Sequence, residues 1–487
     1  MRINAFIAVG ALAVLACGCA DPIDFPATSV QGPAGAHRSY DTDGDGGADF
    51  FLFAGAAGRV ERLGYDSSGD GAPDSFVNLD DNPVDGRHLV IVLDGVTFDL
   101  VRDLYEAGDL RIFHPPSRVI TPYPSMTDLS MAQMLGEMPP LAYEAQYFDH
   151  ESNRVVGGQS AYLAETNELH LQVIQYKAHT LWRAMGFVWP SSVFNKELGT
   201  AIGRYDEVDS QEFIAYFGST AGMGTRLGAE GHRETLRRIE RWANQVLWQS
   251  RGLAEVTLMS DHGHTYTPGQ PLPAAAHLKD RGWRLRSTLA DDRDVVWIRF
   301  GLLTFASFAA RDPAALADDL ADCEGVDITS YAEGEKVVVL DGNDGRAVIG
   351  RRDGRYRYEL IRGDPLQLGD ILKQLTPDAD GYYDADDLLA ATADHVYPAP
   401  LQRMWQGHFT VVQNPPDVVC SLEDGYFSGS SGLAGAVSIE STHGSLNRRN
   451  STAFIMSTIG PLPPLMRSGD ISDHMGVLIG GPWPMGK

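Results

Sequence analysis

The chain is expected to be an α/β protein: a mostly parallel central sheet flanked by helices, with a small inserted β-rich subdomain and an acidic-loop segment ahead of the sheet. Three observations predict this. Leu89 to Leu93 is an uninterrupted apolar run, the mark of a strand buried on both faces, and it stops at Asp94-Gly95. Val256 to Met259 repeats the arrangement and stops at Asp261-His262. Between them, helical stripes such as Leu236, Ile239, Trp242, Val246 and Leu247 alternate with a further short apolar run from Phe213 to Gly218, and strand-helix alternation implies parallel pairing. In such a sheet ligands gather outside the carboxyl ends of the strands. Asp94, Asp261 and His262 are therefore the first candidates for a site.

Taken in order, the chain opens with one positive residue, a short apolar run, and small residues around Cys17 and Cys19. This is too short to span a bilayer with stop-transfer flanks and reads as a secretory signal over residues 1–19. Cysteine closing such a run resembles the lipobox of bacterial lipoproteins. Val14-Leu15-Ala16-Cys17 fits that pattern best, although Cys19 remains a second candidate for the lipid. Neither cysteine is followed by Asp, so the resemblance implies a lipid anchor in the cell envelope, at the outer membrane of a two-membrane bacterium. The alternative is a secreted or periplasmic protein. A linker covers residues 20–36.

Residues 37–82 carry two acidic loops, Asp41, Asp43, Asp45 and Asp49, then Asp66, Ser68, Asp70 and Asp74, offset by 25 residues with glycines at matching turns. Oxygen side chains at alternate positions suit Ca²⁺, which takes six to eight oxygens. The loops resemble DxDGDG calcium loops of the EF-hand, dockerin and thrombospondin type 3 kind, without the bidentate Glu that ends an EF-hand loop. That resemblance implies a structural calcium role. Metal-free Asp/Gly turns are the alternative.

The main domain is expected from residue 87 to about residue 480. After the first strand, Val119-Ile120 gives way to Pro122 and Pro124, and Ser125-Met126-Thr127 opens a helical pattern through Met131 and Leu135. A hydroxyl at a helix start suits an anion, because first-turn N–H groups lack intrahelical partners. Between about 271 and 416 the pattern changes to short alternating strands separated by Asn343-Asp344-Gly345 and Asp353-Gly354, a β-meander signature for the insertion. The apolar run after Asp417 reads as a return to the main domain. His443 then follows in a Gly-containing loop before the last apolar strand. Asp291, Asp292 and Asp294 read as a solvated charge run, and His277, His395 and His408 as packing or surface residues. Arg448-Arg449 suits either an anionic substrate or a surface pair.

The whole composition limits the partners. With 65 acidic against 39 basic residues and a formal net charge of −26, the chain is not expected to form a nucleic-acid groove. Beyond the signal only Cys323 and Cys420 remain, which is no zinc cluster, and their pairing is open. Oligomeric state is not encoded in any feature of the sequence.

Asp94, Thr127, Asp261-His262 and His443, in that order, resemble the alkaline phosphatase superfamily, and within it the nucleotide pyrophosphatase/phosphodiesterase branch. The resemblance implies an alkaline phosphatase-like fold. It also implies a metal site of Asp94, Asp261 and His262, with Thr127 as nucleophile and ligand, and His443 beside a second metal and in the catalysis. Zn²⁺, or Mn²⁺, is the implied metal and an anionic ester the implied substrate. One departure matters: the branch draws its second site from an Asp and a His in a segment where this chain has Ala221 and Thr225, neither of which replaces a carboxylate or an imidazole. His232 and Asp209 are the residues at hand to compensate.

The reading favoured by the retained nucleophile and three ligands is a metal-dependent phosphate ester hydrolase, a phosphodiesterase in the first instance. Thr127 would attack, and His443 or His264 would assist the leaving group. The alternatives are a sulfate or phosphonate ester hydrolase with a single metal, an ordinary two-metal phosphodiesterase with ligands from elsewhere, and a catalytically inactive envelope lipoprotein that binds a partner. A sulfatase proper is disfavoured because the Cys/Ser-x-Pro-x-Arg signature is missing.

Overall fold

The strand that ends at Asp94 lies in the middle of a seven-stranded sheet. The computed structural model describes residues 21–81, 86–167, 172–429 and 438–485; Cys17 and Cys19 lie outside them. The strands are β1 His88–Leu93, β2 Ser117–Ile120, β3 Tyr176–Lys177, β4 Glu212–Phe217, β5 Glu255–Ser260, β6 Thr452–Ser457 and β7 Leu465–Arg467, in the order β7-β2-β6-β5-β1-β4-β3. β1 runs parallel between β4 and β5, and within this sheet only β6 is antiparallel to its neighbours. The sheet is mostly parallel, as the apolar runs predict.

Helices cover both faces. They are α1 Phe98–Ala107, α2 Thr127–Met134, α3 Pro190–Glu207, α4 Ser219–Gln249 and α6 Ile471–Ile479, while α5 Pro400–Phe409 packs on a second sheet. Leu89, Ile91 and Leu93 pack with Val101, Phe194 and Trp242, while the intervening Val90 and Val92 pack with Met131, Met134, Ile471 and Met475. Period-two alternation thus buries both sides of β1, which is why its sequence is unbroken by polar residues. α4 begins at Ser219, well ahead of its apolar stripe, and breaks from helical geometry at Gly228 (φ 61°).

The insertion is larger than its turn signals suggest. An antiparallel-rich sheet of eight strands includes the meander Val326–Glu333, Lys336–Asp341, Arg346–Arg352 and Arg355–Arg362. Asp353 and Gly354 both have positive φ at its last tight turn, as a primed hairpin requires. Val418–Leu422 also lies in this sheet, between Phe305–Ala310 and Val326–Glu333, and does not return to the main sheet. An apolar run encodes burial but not its pairing partner, so the expected boundary at 416 is not where the second sheet ends.

The acidic loops connect strands of a four-stranded antiparallel meander, Arg38–Tyr40, Phe50–Ala54, Val60–Tyr65 and Ser75–Asn78. It is docked on the main domain. Phe50, Leu52, Leu63 and Tyr65 share a core with α4, the Tyr65 hydroxyl donates to Leu247 O at 3.3 Å, and Arg38 pairs with Glu240 at 3.2 Å. Cys323 and Cys420 are buried free thiols.

Candidate metal centre

β1 and β5 are adjacent and parallel, so their carboxyl ends deliver Asp94, Asp261 and His262 to the same place. One ligand atom from each lies within 4.8 Å of the others, and all three residues are buried. His262 Nε2 is 3.5 Å from Asp94 Oδ1 and 3.6 Å from Asp261 Oδ2. Thr127 is the first residue of α2, and its Oγ1 is 3.2 Å from the same nitrogen. Tetrahedral N and O ligands at about 2.0–2.2 Å from a metal have edges of roughly 3.3–3.6 Å. The three distances from His262 Nε2 are of that length, so Asp94, Asp261, His262 and Thr127 form a cluster that could hold a divalent cation.

Their surroundings fix the donor atoms. His262 Nδ1 is 3.0 Å from Gly263 O, to which Nδ1–H donates, so Nε2 turns its lone pair to the carboxylates. The Tyr216 hydroxyl donates to Asp94 Oδ2 at 2.6 Å, so Oδ1 is the atom that faces His262. Gly95 N donates to Asp261 Oδ1 at 2.9 Å, leaving Oδ2 toward the cluster. Burial pushes the Asp261 carboxyl up to about 7 despite these donors, and burial also holds His262 down, at about 4. A cation held between these two carboxylates and the neutral imidazole would offset their desolvation.

Ser125, the other hydroxyl of this helix start, is fully buried. Its Oγ donates to Pro122 O at 3.2 Å and accepts from Arg403 Nη2 at 3.2 Å, so it is committed to the loop. Thr127 is half-buried and is the hydroxyl that meets the cluster.

His443 stacks on His262, ring centroids 3.9 Å apart at 17°. Its Nδ1 lies 3.0 Å from Ser125 O, and burial and the His262 ring hold it well below the usual imidazole range. With Nδ1–H given to that carbonyl, Nε2 of the neutral ring is an acceptor, suited to receiving a hydrogen bond or binding a cation rather than donating to a leaving group. His264 is no candidate acid either. It is fully buried, its Nδ1 meets Ser441 Oγ at 2.8 Å, and its other side is pressed on Gly95, where a Cβ would come within 2.6 Å of Nε2. That contact, with φ at 81°, is why residue 95 is glycine.

Ala221 and Thr225 are buried near the start of α4, and neither proposed substitute reaches them as a ligand. His232 uses Nε2 toward Thr220 O (2.9 Å) and Nδ1 toward Tyr266 OH (2.7 Å). Asp209 is exposed just before β4, at the opposite end of the sheet from Asp94. Among the described residues the remaining three-carboxylate cluster is superficial, Asp41, Asp43 and Asp49.

The acidic loops repeat in three dimensions. Asp41 caps Gly44 and Gly46 N–H, and Asp66 caps Gly69 and Gly71 N–H. Asp45 caps Gly47 and Asp70 caps Ala72, while Asp49 and Asp74 accept from Thr42 and Ser67 N–H. Asp43 and Ser68 sit at the equivalent second position.

Other residues are placed differently from their sequence reading, or resolved between alternatives. Asp294 is buried and accepts from Arg284 and from the N–H groups of Ala290 and Asp291, so only its neighbours in the charge run are solvated. Arg448 pairs with Asp99 (3.6 Å) and Asp394 (3.5 Å). Tyr216 and Arg403 carry no motif in the sequence. A tyrosine within a buried strand and an arginine on a helix of the insertion are unremarked until the fold brings them to the cluster.

No family model matches the chain, and no curated protein matches it. Among solved structures it resembles murine ectonucleotide pyrophosphatase/phosphodiesterase 5, at 11% identity over 81% of this chain and 95% of that one, with a TM-score of 0.41. The human ectonucleotide pyrophosphatase/phosphodiesterase 5 gives 11% identity, the same coverage and a TM-score of 0.43. Superpositions this loose leave the fold to rest on its strand order and the site on its own distances.

Proposed function

We propose that this chain is a metal-dependent phosphate ester hydrolase, acting on phosphodiesters in the first instance, with Thr127 as nucleophile and one divalent cation held by Asp94, Asp261, His262 and Thr127. The observation that carries the reading is the Thr127 hydroxyl at the start of α2, 3.2 Å from a histidine nitrogen that two buried carboxylates also face. The N/O donor set suits Zn²⁺, with Mn²⁺ second. Bound there, the cation would lower the hydroxyl pKa and offset charge on the transferring group.

The protein's own residues carry the rest. Thr127 Oγ attacks phosphorus and one alkoxide of the diester leaves with the hydroxyl's proton; the remaining phosphomonoester stays joined to Thr127 until water attacks phosphorus and the threonine oxygen departs with one of the water's protons. The first-turn N–H groups of α2 present partial positive charge to the anion. His443, neutral and with Nε2 as acceptor, receives a hydrogen bond from the attacking water and orients it. The one-cation version is preferred because Ala221 and Thr225 bring no ligands and His232 is fully engaged.

The experiment is hydrolysis of chromogenic phosphodiester, phosphomonoester, phosphonate and sulfate esters by the mature protein and Thr127→Ala, with Zn²⁺, Mn²⁺ or Ca²⁺ in turn. Turnover of the phosphodiester, lost in the variant, is expected. A preference for sulfate or phosphonate would move the substrate class. Equal inertness of both proteins would favour a binding lipoprotein. Two attachments complete the proposal: structural Ca²⁺ at the acidic loops, and a lipid anchor at Cys17 in the cell envelope, detectable as a lipid-modified N-terminal peptide.

A further inference from the structure

Arg403 lies on α5, in the chain segment of the second sheet, and is 3% exposed. All five of its hydrogen bonds go to neutral oxygens: Nε to Thr121 O (2.6 Å), Nη1 to Pro398 O (3.2 Å) and Leu446 O (3.0 Å), and Nη2 to Pro122 O (3.3 Å) and Ser125 Oγ (3.2 Å). A guanidinium has five N–H donors in a fixed fork, so its donor capacity is met. Burying a cation without a carboxylate partner is costly, and burial accordingly draws the guanidinium down to about 9. A cost of that kind is tolerated where the fork fixes something that a neutral side chain cannot.

The acceptors identify what is fixed. Thr121, Pro122 and Ser125 belong to the loop that leads from β2 into Thr127, and Leu446 to the loop that carries His443. The loops meet directly through Ser125 N–H to Gly444 O at 3.1 Å and His443 Nδ1 to Ser125 O at 3.0 Å. The fork straddles that junction. Gly407, one turn further along α5, lies so close to Tyr123 that a Cβ there would come within 2.8 Å of Tyr123 O.

We propose that Arg403 is a positioning residue that sets the spacing between the Thr127 loop and the His443 loop, which makes the second-sheet unit a working part of the reaction centre. The claim rests on the reading of Thr127 as nucleophile. Lysine keeps the charge but not the planar fork and cannot serve the same acceptors together. Of the four proposed ligands only Thr127 lies on the affected loop; Asp94, Asp261 and His262 are delivered by β1 and β5 and keep most of the hold on the cation.

The test compares the full mature protein with Arg403→Lys by hydrogen exchange, Zn²⁺ titration and phosphodiester kinetics. In the variant, amides in peptides spanning 121–127 and 443–446 are expected to exchange at least tenfold faster, with β1 and β5 peptides unchanged. Zn²⁺ affinity should stay within about threefold, while kcat falls about 100-fold with little change in KM, the signature of a misplaced reacting group. Ser125→Ala, which removes one acceptor of the fork, should raise exchange in the same peptides to a smaller degree, and it serves if the lysine variant does not fold. Unchanged exchange in both loops, or a uniform rise across every peptide with loss of Zn²⁺ binding, would overturn the positioning role. If the wild type hydrolyses no ester, the proposed function fails, and the exchange pattern still decides whether Arg403 holds the two loops.

Discussion

At the scale of single residues, the candidate centre depends on which oxygen or nitrogen each ligand turns inward. Tyr216 illustrates this. Its hydroxyl, held protonated by burial, donates to Asp94 Oδ2 at 2.6 Å. Tyr216→Phe removes that donor without changing the packing of the ring, and Zn²⁺ affinity should fall about 10–100-fold while the fold is kept. Competition with a chromogenic chelator measures it, and an affinity within twofold of wild type would contradict the role. The sequence exposed Asp94, Asp261 and His262 because each directly follows an apolar run. It did not expose Tyr216, because a tyrosine inside such a run looks like core. Asp294 misleads in the opposite way: it reads as solvated among charged neighbours, yet two backbone N–H groups and Arg284 make its burial affordable.

At the scale of elements, the site is made by where β1 and β5 end and where α2 begins, and these were legible as changes of pattern. The loop between β2 and α2 was not. Its conformation is held by Arg403, 278 residues from Ser125 in the chain, and no local signal announces so distant a partner. A second buried charge, Glu144, gives a pH test of the packing between the 142–147 segment and the second sheet. It accepts from Phe300 N–H at 3.0 Å and Gly301 N–H at 2.5 Å, and burial pushes its carboxyl up from 4.5 to about 7. A carboxyl raised on folding favours the protonated native state, so its contribution is intact below the unfolded value and is lost as pH rises through about 7. Glu144→Gln retains an acceptor and cannot ionise. Urea melts should find it increasingly more stable than wild type between pH 5 and pH 8, by about 1–3 kcal/mol at pH 8. An equal margin at both values would contradict the assignment.

At the scale of the whole molecule, the four-stranded meander is fused to the seven-stranded sheet through a shared core rather than tethered. The acidic-loop meander shares its apolar face with α4, and Asp41 and Asp66 make equivalent caps in its two loops. Calcium bound there should raise the melting temperature of the entire chain, and a calcium-selective chelator should reverse it; a melting temperature indifferent to both would mean that the loops are held by their own Asp caps alone. The mostly parallel central sheet could be read from the sequence because each buried strand is unbroken and alternates with helical stripes. The extent of the second sheet could not. Val418–Leu422 is as apolar as a main-sheet strand, and only its pairing with Phe305–Ala310 and Val326–Glu333 assigns it. That Ala221 and Thr225 offer neither a carboxylate nor an imidazole was plain from residue type, whereas the commitment of His232 to Thr220 and Tyr266 needed coordinates.

The most direct test of the central claim is to mix the Zn²⁺-loaded protein with a chromogenic phosphodiester, quench in acid within the first turnovers, and map the covalent adduct by peptide mass spectrometry. The account predicts the substrate's remaining phosphomonoester joined through phosphorus to Thr127, absent from Thr127→Ala. Turnover with the adduct on another residue, or turnover that persists in Thr127→Ala, would contradict it.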